Sequence, residues 1–225
     1  MVSATYHIKK YSGVNYDELF TSLKDKKYSD STGYGYEIEK IESQFFTASY
    51  ICNEPTFIEE YNLNTGSISK TKVILHTITR FTIYKNPSYI TISASKKMAK
   101  SLLTQLSIIT HSRIEISAFL PDYHHILDHL SDAFDGELKI TGMQISEIQI
   151  EDGVRGSFYA KYFPSSKGIT LLKKWLKDVT YINFLIQNID ESINIGMYKS
   201  GILRIYTSVD EQLAEKIIYC VIMEE

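Results

Sequence analysis

Cysteine, proline and tryptophan are scarce in this chain of 225 residues, which holds two, four and one of them. Cys52 and Cys220 stand far apart, so there is no CxxC pair and no thiolate metal spacing. They read as two reduced, mostly buried thiols of a cytosolic protein. No tract is Pro-rich or of low complexity, so no long disordered linker is expected. The 11 glycines are scattered. The GYG of Gly33–Gly35 opens a strand pattern and not a helix, which excludes the Walker and Rossmann phosphate loops. No GxSxG elbow is present. The longest apolar run, IIYCVIM (217–223), is far too short to cross a bilayer. The opening MVSATYHIKK has no apolar stretch behind a basic start, so neither a signal peptide nor a membrane partner is expected. These absences point away from an enzyme, and no cofactor is expected.

Charge is also low. The net value is −3, which argues against a strongly basic nucleic-acid binder. It divides unevenly. Residues 1–111 carry 13 Lys/Arg against 10 Asp/Glu, +3, and residues 112–225 carry 11 against 17, −6.

Two distant stretches read alike. FTIYKNPSYITISASKKMAKSLL (81–103) and IGMYKSGILRIYTSVDEQLAEKII (195–218) each alternate as strand, turn and strand, then take helical periodicity. Setting Tyr84-Lys85 on Tyr198-Lys199, with a one-residue slip, places Ile90 on Leu203 and Ile92 on Ile205. A two-residue insertion, Val209-Asp210, then brings Leu102 and Leu103 onto Ile217 and Ile218.

The preceding elements follow the same order. ATYHIKKY (4–11) and RIEISAFL (113–120) alternate as strands. NYDELFTSLKDK (15–26) and DYHHILDHLSDAF (122–134) read as helices capped by Asn15 and Asp122, with Glu18 completing a capping-box pattern. Long β-rich segments follow, including a hairpin turning at Asn64-Thr65-Gly66. Strands are expected at 154–163 and 181–195 in the second half. The chain is therefore expected to be α+β: residues 1–111 as a first β-α-β-β-β-β-α repeat, and 112–225 as a second with a helical insertion near 165–179.

This order resembles the repeat of the TATA-binding-protein fold. There two β-α-β-β-β-β-α copies join their sheets into one curved antiparallel saddle with all helices on one face. The resemblance rests on element order and the internal repeat. The family's DNA-kinking phenylalanine pairs and paired asparagines have no counterparts here. It implies a pseudo-dimer with an open sheet face for binding, as used on DNA or, elsewhere in the fold, as a protein-assembly platform.

Alternation assigns that open face. Ile90, Ile92, Leu203 and Ile205 point to the helices, with Val154, Phe158, Ala160 and Tyr162. The open face takes His76, Arg80, Thr91, Ser93, Arg155, Tyr159, Lys161, Arg204 and Tyr206. These types contact phosphate and stack on bases, and Tyr and Arg also mark protein interfaces. In SSKGITLLKKWLKDV (165–179), Leu171, Leu172, Trp175 and Val179 share one side of a helix. Lys173, Lys174 and Lys177 form a basic flank for a phosphate backbone or a partner. The expected function is a non-catalytic binding or scaffold protein, with nucleic acid, DNA first, as the favoured ligand. Protein–protein assembly within a larger complex is the alternative.

Two weaker patterns carry chemistry. Pro121-Asp122 with Glu137 and Lys139 matches the bare spacing of PD-(D/E)xK nucleases, which need two carboxylates on a metal and a lysine by the attacking water. His125 and His129, four residues apart on one helix, have the spacing to share a metal ion.

Overall fold

The computed structural model describes residues 4–161, 165–187 and 192–223. Among these residues eleven strands form one antiparallel sheet and five α-helices pack on it, an α+β architecture. In the first half, β1 (Ala4–Ser12) leads to α1 (Tyr16–Lys24), then β2 (Tyr34–Ile41), β3 (Phe45–Asn62), β4 (Ser67–Tyr84), β5 (Tyr89–Ser93) and α2 (Lys96–Ile109). The second half runs β6 (Glu115–Ala118), α3 (Tyr123–Ala133), β7 (Glu137–Glu151), β8 (Val154–Lys161), α4 (Ser165–Trp175), β9 (Val179–Gln187), β10 (Ser192–Tyr198), β11 (Ile202–Ile205) and α5 (Glu211–Ile222).

The expected helix starts hold. Asn15 accepts the Glu18 N–H at 2.8 Å, and Asp122 accepts those of His124 and His125 at 2.9 and 3.3 Å. Glu18 does not complete the capping box; its carboxylate pairs with Arg113. The 181–195 segment forms parts of two strands, β9 and β10, with residues 188–191 outside the described residues.

The strand order is β2-β3-β4-β5-β1-β11-β10-β9-β7-β8. Strand β1 is the seam. One edge pairs with β5; the other is shared end to end, Ala4–His7 meeting β11 and Lys9–Ser12 meeting β6. At the junction the Ile8 N–H donates to the Gly201 carbonyl at 2.8 Å.

Register at this seam decides where the helices lie. Directly paired residues of antiparallel neighbours share a sheet face. Ile92 pairs with His7, and His7 with Ile202; Ser93 pairs with Tyr6, and Tyr6 with Leu203. Leu203 therefore shares its face with Ser93, and Ile92 lies on the opposite face. Two separate cores follow. Phe46, Phe81, Ile83, Ile90 and Ile92 pack under α1 and α2 with Leu19, Leu23, Leu102 and Leu106. Met143, Ile182, Phe184, Ile195, Met197, Leu203 and Ile205 pack under α3, α4 and α5 with Leu130, Leu172 and Ile217. The expectation of all helices on one face is thus corrected. The alternation held within β5 and within β11, but the register across β1 is offset by one residue between these two flanking strands, and an odd offset exchanges faces. Strand β1 serves both cores, Tyr11 the first and Ile8 the second.

Two further expectations change at the sheet's far edge. Val154 and Phe158, assigned to the core, are 48% and 44% exposed, because β8 pairs on one side only, with β7. Ala160 does pack against the second core, and Tyr162 lies outside the described residues.

Candidate binding surfaces

With helices on opposite faces, each half leaves its own sheet face uncovered by helices of that half. The open face of the expected saddle becomes two surfaces that look in opposite directions. The candidate residues divide among them.

On the second half's uncovered face, Gly142, Gln144, Tyr159, Lys161, Tyr181, Asn183, Gly196, Tyr198 and Arg204 are joined by direct cross-strand pairing. The Tyr181 ring lies 4.5 Å from that of Tyr198 and 6.4 Å from that of Tyr159. Its hydroxyl is 3.2 Å from that of Tyr206 and donates to Asn183 Oδ1 at 3.3 Å. Asn183 in turn donates to Thr141 at 2.8 Å. The Arg204 guanidinium sits 5.2 Å over the Tyr198 ring. Two glycines make room for these rings. A Cβ on Gly142 would stand 2.1 Å from the Tyr159 hydroxyl, and one on Gly196 would stand 2.8 Å from Tyr181 and 2.9 Å from Tyr206. Burial pushes the phenols of Tyr181 and Tyr198 up, and hydrogen bonding to Tyr206 adds to it. At neutral pH they remain protonated donors, not bases. Such a surface can stack planar groups and donate hydrogen bonds to them.

Gly142→Ala is expected to push Tyr159 off this surface and cost about 1 kcal/mol in urea unfolding, at the low end for overpacking because the ring is half exposed. Adding Tyr159→Ala should restore much of that loss, since the clash partner is gone. Additive losses would count against the close approach.

The first half's uncovered face is a row of hydroxyls. Thr47 and Thr82 bond each other at 3.1 Å, and Ser49 donates to Glu39. Thr91 is 3% exposed, so it is not available as a surface contact, a correction to its candidacy. Arg80 is held by Glu39 at 2.9 Å. His76 meets the Tyr28 hydroxyl at 3.2 Å. Ser93 is exposed. Helix α5 of the other half reaches over this row, where Lys40 pairs with Glu215 at 3.1 Å. Between them lies a groove of about 270 Å³ lined by Thr47, Thr82, Ser93, Asp210, Glu211 and Glu215. Its lining carries more acids than bases, unlike a phosphate site.

The remaining candidates lie elsewhere. Arg155 is exposed on edge strand β8 and paired with Glu147 at 2.9 Å. Lys173, Lys174 and Lys177 are exposed on α4 and the 3₁₀ turn after it, while Leu172 is buried and Leu171 and Trp175 pack against the second core. Helix α4 lies on the same side as α3 and α5, so its lysines do not extend the tyrosine surface. Val179 is buried as the first residue of β9, not on the helix.

Neither metal pattern assembles. Asp122 is engaged as the α3 cap, and Glu137 follows the far end of that helix. Eleven residues at 1.5 Å each make that intervening helix about 16 Å long. Glu137 and Lys139 pair with each other at 2.7 Å. The His125 and His129 rings are 4.2 Å apart, and His129 Nδ1 is 3.3 Å from the Cys220 carbonyl of α5. Among the described residues no three His, Cys, Asp or Glu side chains gather as a metal site, and no helix is long and apolar enough to cross a membrane.

A third surface was not foreseen in the sequence. Strands β3 and β4 outrun their neighbours. Pairing with β2 ends at Cys52 and pairing with β5 ends at Arg80, yet β3 and β4 stay paired from Asn53↔His76 out to Asn62↔Ser67. Ten residues per strand make a two-stranded arm about 34 Å long. It carries exposed Phe57, Ile58, Tyr61, Ile68, Ile74 and Leu75, with Leu63 at its tip. The signal was the alternation of Phe57, Glu59 and Tyr61 against Ile68, Lys70 and Ile74. Tyr181 and Tyr198 were likewise missed: residues 181–195 read as one strand, and Tyr198 served only to align the internal repeat.

No family model and no curated protein matches this chain.

Proposed function

We propose that this chain is a non-catalytic assembly subunit that engages a protein partner through the β3–β4 arm. The observation that carries this reading is the arm's apolar surface. A free two-stranded hairpin is marginal in water, and a soluble monomer seldom leaves so many large apolar side chains open on one projection. Phe57 and Tyr61, at 65% and 63% exposed, are residue types that anchor interfaces.

The architecture we infer behind it is a duplication arranged about β1, in place of a saddle. From one side the order runs inward β2-β3-β4-β5; from the other it runs β7-β9-β10-β11, with β8 added outside. Each run is preceded by a helix, α1 or α3, and followed by one, α2 or α5. A half-turn about β1 exchanges the runs and also the faces, in keeping with helices on opposite sides. In this reading β8 and α4 are the insertion, and β9 and β10 correspond to β3 and β4.

A second reading is favoured by the tyrosine surface. Tyr159, Tyr181, Tyr198 and Arg204 with Lys161 make a stacking platform for single-stranded nucleic acid. Lys161 and Arg204 form no ion pair among the described residues.

Placing the photoreactive residue benzoylphenylalanine at position 57 or 159 separates the readings in cells that make the chain. Position 57 is expected to give a polypeptide adduct. No adduct there would overturn the arm reading. A nuclease-sensitive adduct at 159, lost in Lys161→Glu/Arg204→Glu, would instead establish the second.

A further inference from the structure

We infer that the occupant of the arm is the arm of a second copy of this chain, packed face to face about a twofold axis along the ribbon. This rests on the reading of the arm as an interface. One face of the ribbon carries Phe57, Glu59 and Tyr61 from β3 and Ile68, Lys70 and Ile74 from β4, which pairing places on the same side. Phe57, Tyr61, Ile68 and Ile74 are 65%, 63%, 63% and 58% exposed. At about 200 Å² for each fully open side chain, the four offer roughly 500 Å² of apolar surface. Two copies together then bury about 1,000 Å², the lower bound for a specific interface before any other contact is counted.

Charge selects the partner and the orientation. On this face the two strands differ in sign: β3 carries Glu59, and β4 carries Lys70 and Lys72, while Glu54 and Glu60 lie on the opposite face. A face so divided repels a copy laid β3 on β3 and accepts one laid β3 on β4. The twofold axis along the ribbon produces that second arrangement. It sets Glu59 over the partner's Lys70 and the partner's Glu59 over Lys70, at the centre of the apolar patch. Within one chain the same two side chains already meet at 2.7 Å, so the dimer turns one surface ion pair into a four-charge cluster. Tyr61 falls over the partner's Ile68 at one end, and the partner's Tyr61 over Ile68; toward the base Phe57 meets the aliphatic stem of the partner's Lys72, and Ile74 meets the partner's Pro55. The face is self-complementary, as a twofold interface requires.

The test is size-exclusion chromatography with light scattering on the full chain. Wild type is expected at twice the chain mass in the micromolar range. Glu59→Lys and Lys70→Glu are each expected to weaken self-association at least tenfold, because each sets like charges face to face at two places. An equimolar mixture of the two variants should return to twice the chain mass, because each then offers the other an opposite charge. Phe57→Ser/Tyr61→Ser should be monomeric, with far-ultraviolet circular dichroism confirming that all variants fold. A monomeric wild type at 100 μM would overturn the self-pairing. So would a dimer indifferent to the arm variants, or a mixture that stays monomeric. The adduct from position 57 separates this failure from that of the arm reading. A two-copy adduct supports both. An adduct to another protein leaves the arm an interface but removes the second copy as its occupant, and no adduct removes both.

Discussion

Replacing Phe184 by alanine is expected to cost about 3–5 kcal/mol in urea unfolding, the usual range for a large aromatic lost from a packed interior. Phe184 is fully buried on β9, paired with Ile140 on one side and Ile195 on the other. The whole second core, with α3, α4 and α5 over it, is built around that row of side chains. Phe81→Ala should cost a similar amount from the other face, where Phe81 pairs with Ala48 and Ile92 and packs near Tyr36. The pair tests the arrangement more sharply than either alone. The two cores share no residue, and five strand spacings separate β4 from β9, about 24 Å. Milder substitutions that leave the protein folded, Ile83→Val and Ile182→Val, should each cost about 1 kcal/mol and add to within about 0.5 kcal/mol in the double variant. Strong coupling would count against the strand order that keeps the two side chains, and the clusters around them, about 24 Å apart.

Alkaline unfolding should be steep and should begin as pH rises above about 10. Burial pushes the phenols of Tyr11 and Tyr50 up to about 12, and those of Tyr36, Tyr84 and Tyr123 higher still. Tyr11 donates its hydroxyl proton to the Tyr84 carbonyl at 2.9 Å, which only the neutral form can do. The hydroxyls of Tyr36 and Tyr123 are buried with no hydrogen-bond partner among the described residues, so nothing there would compensate a charge. Below pH 10 both folded and unfolded chains hold these protons and stability is unaffected. Above it the unfolded chain releases them while the folded chain retains them, so stability falls as pH rises. Each such tyrosine contributes up to about 1.4 kcal/mol per pH unit until its folded value is reached. Several acting together should unfold the protein within about one to two pH units. Phenolate absorbance followed beside far-ultraviolet circular dichroism is expected to show a first, non-cooperative rise from exposed tyrosines. A second rise should coincide with loss of structure. Tyr36→Phe should shift that second transition to higher pH. Phenolate formation that is complete before structure is lost would show the tyrosines to be accessible and would overturn the assignment.

The candidate site shows how far residue types can be read without their neighbours. Tyr159, Lys161, Arg204 and Tyr206 were identified from alternation, and pairing does bring them onto one surface or its border. Arg80 and Arg155 have the same chemistry but are spent on Glu39 and Glu147. Thr91 alternates correctly and is nonetheless buried, because it sits between Ile8 and Thr82 at the floor of the groove that α5 overhangs. Ion pairing and overhang depend on what another part of the chain does, and no local pattern carries that.

Composition, caps and periodicity by themselves determined the α+β class, the helix starts at Asn15 and Asp122, the hairpin turn near Gly66, and which side of β5 and β11 is apolar. All are local, fixed within a few residues by backbone hydrogen bonding, turn geometry and the two-residue period of a strand. Tertiary structure alone decided which sheet face each apolar side meets. That depends on the register of β1 against both β5 and β11, where one residue of offset exchanges the faces and parts the helices into two layers. It also decided that β3 and β4 run on past their neighbours. A strand's own sequence looks the same whether or not a third strand lies beside it, and only the length of β2 and β5 leaves the arm bare.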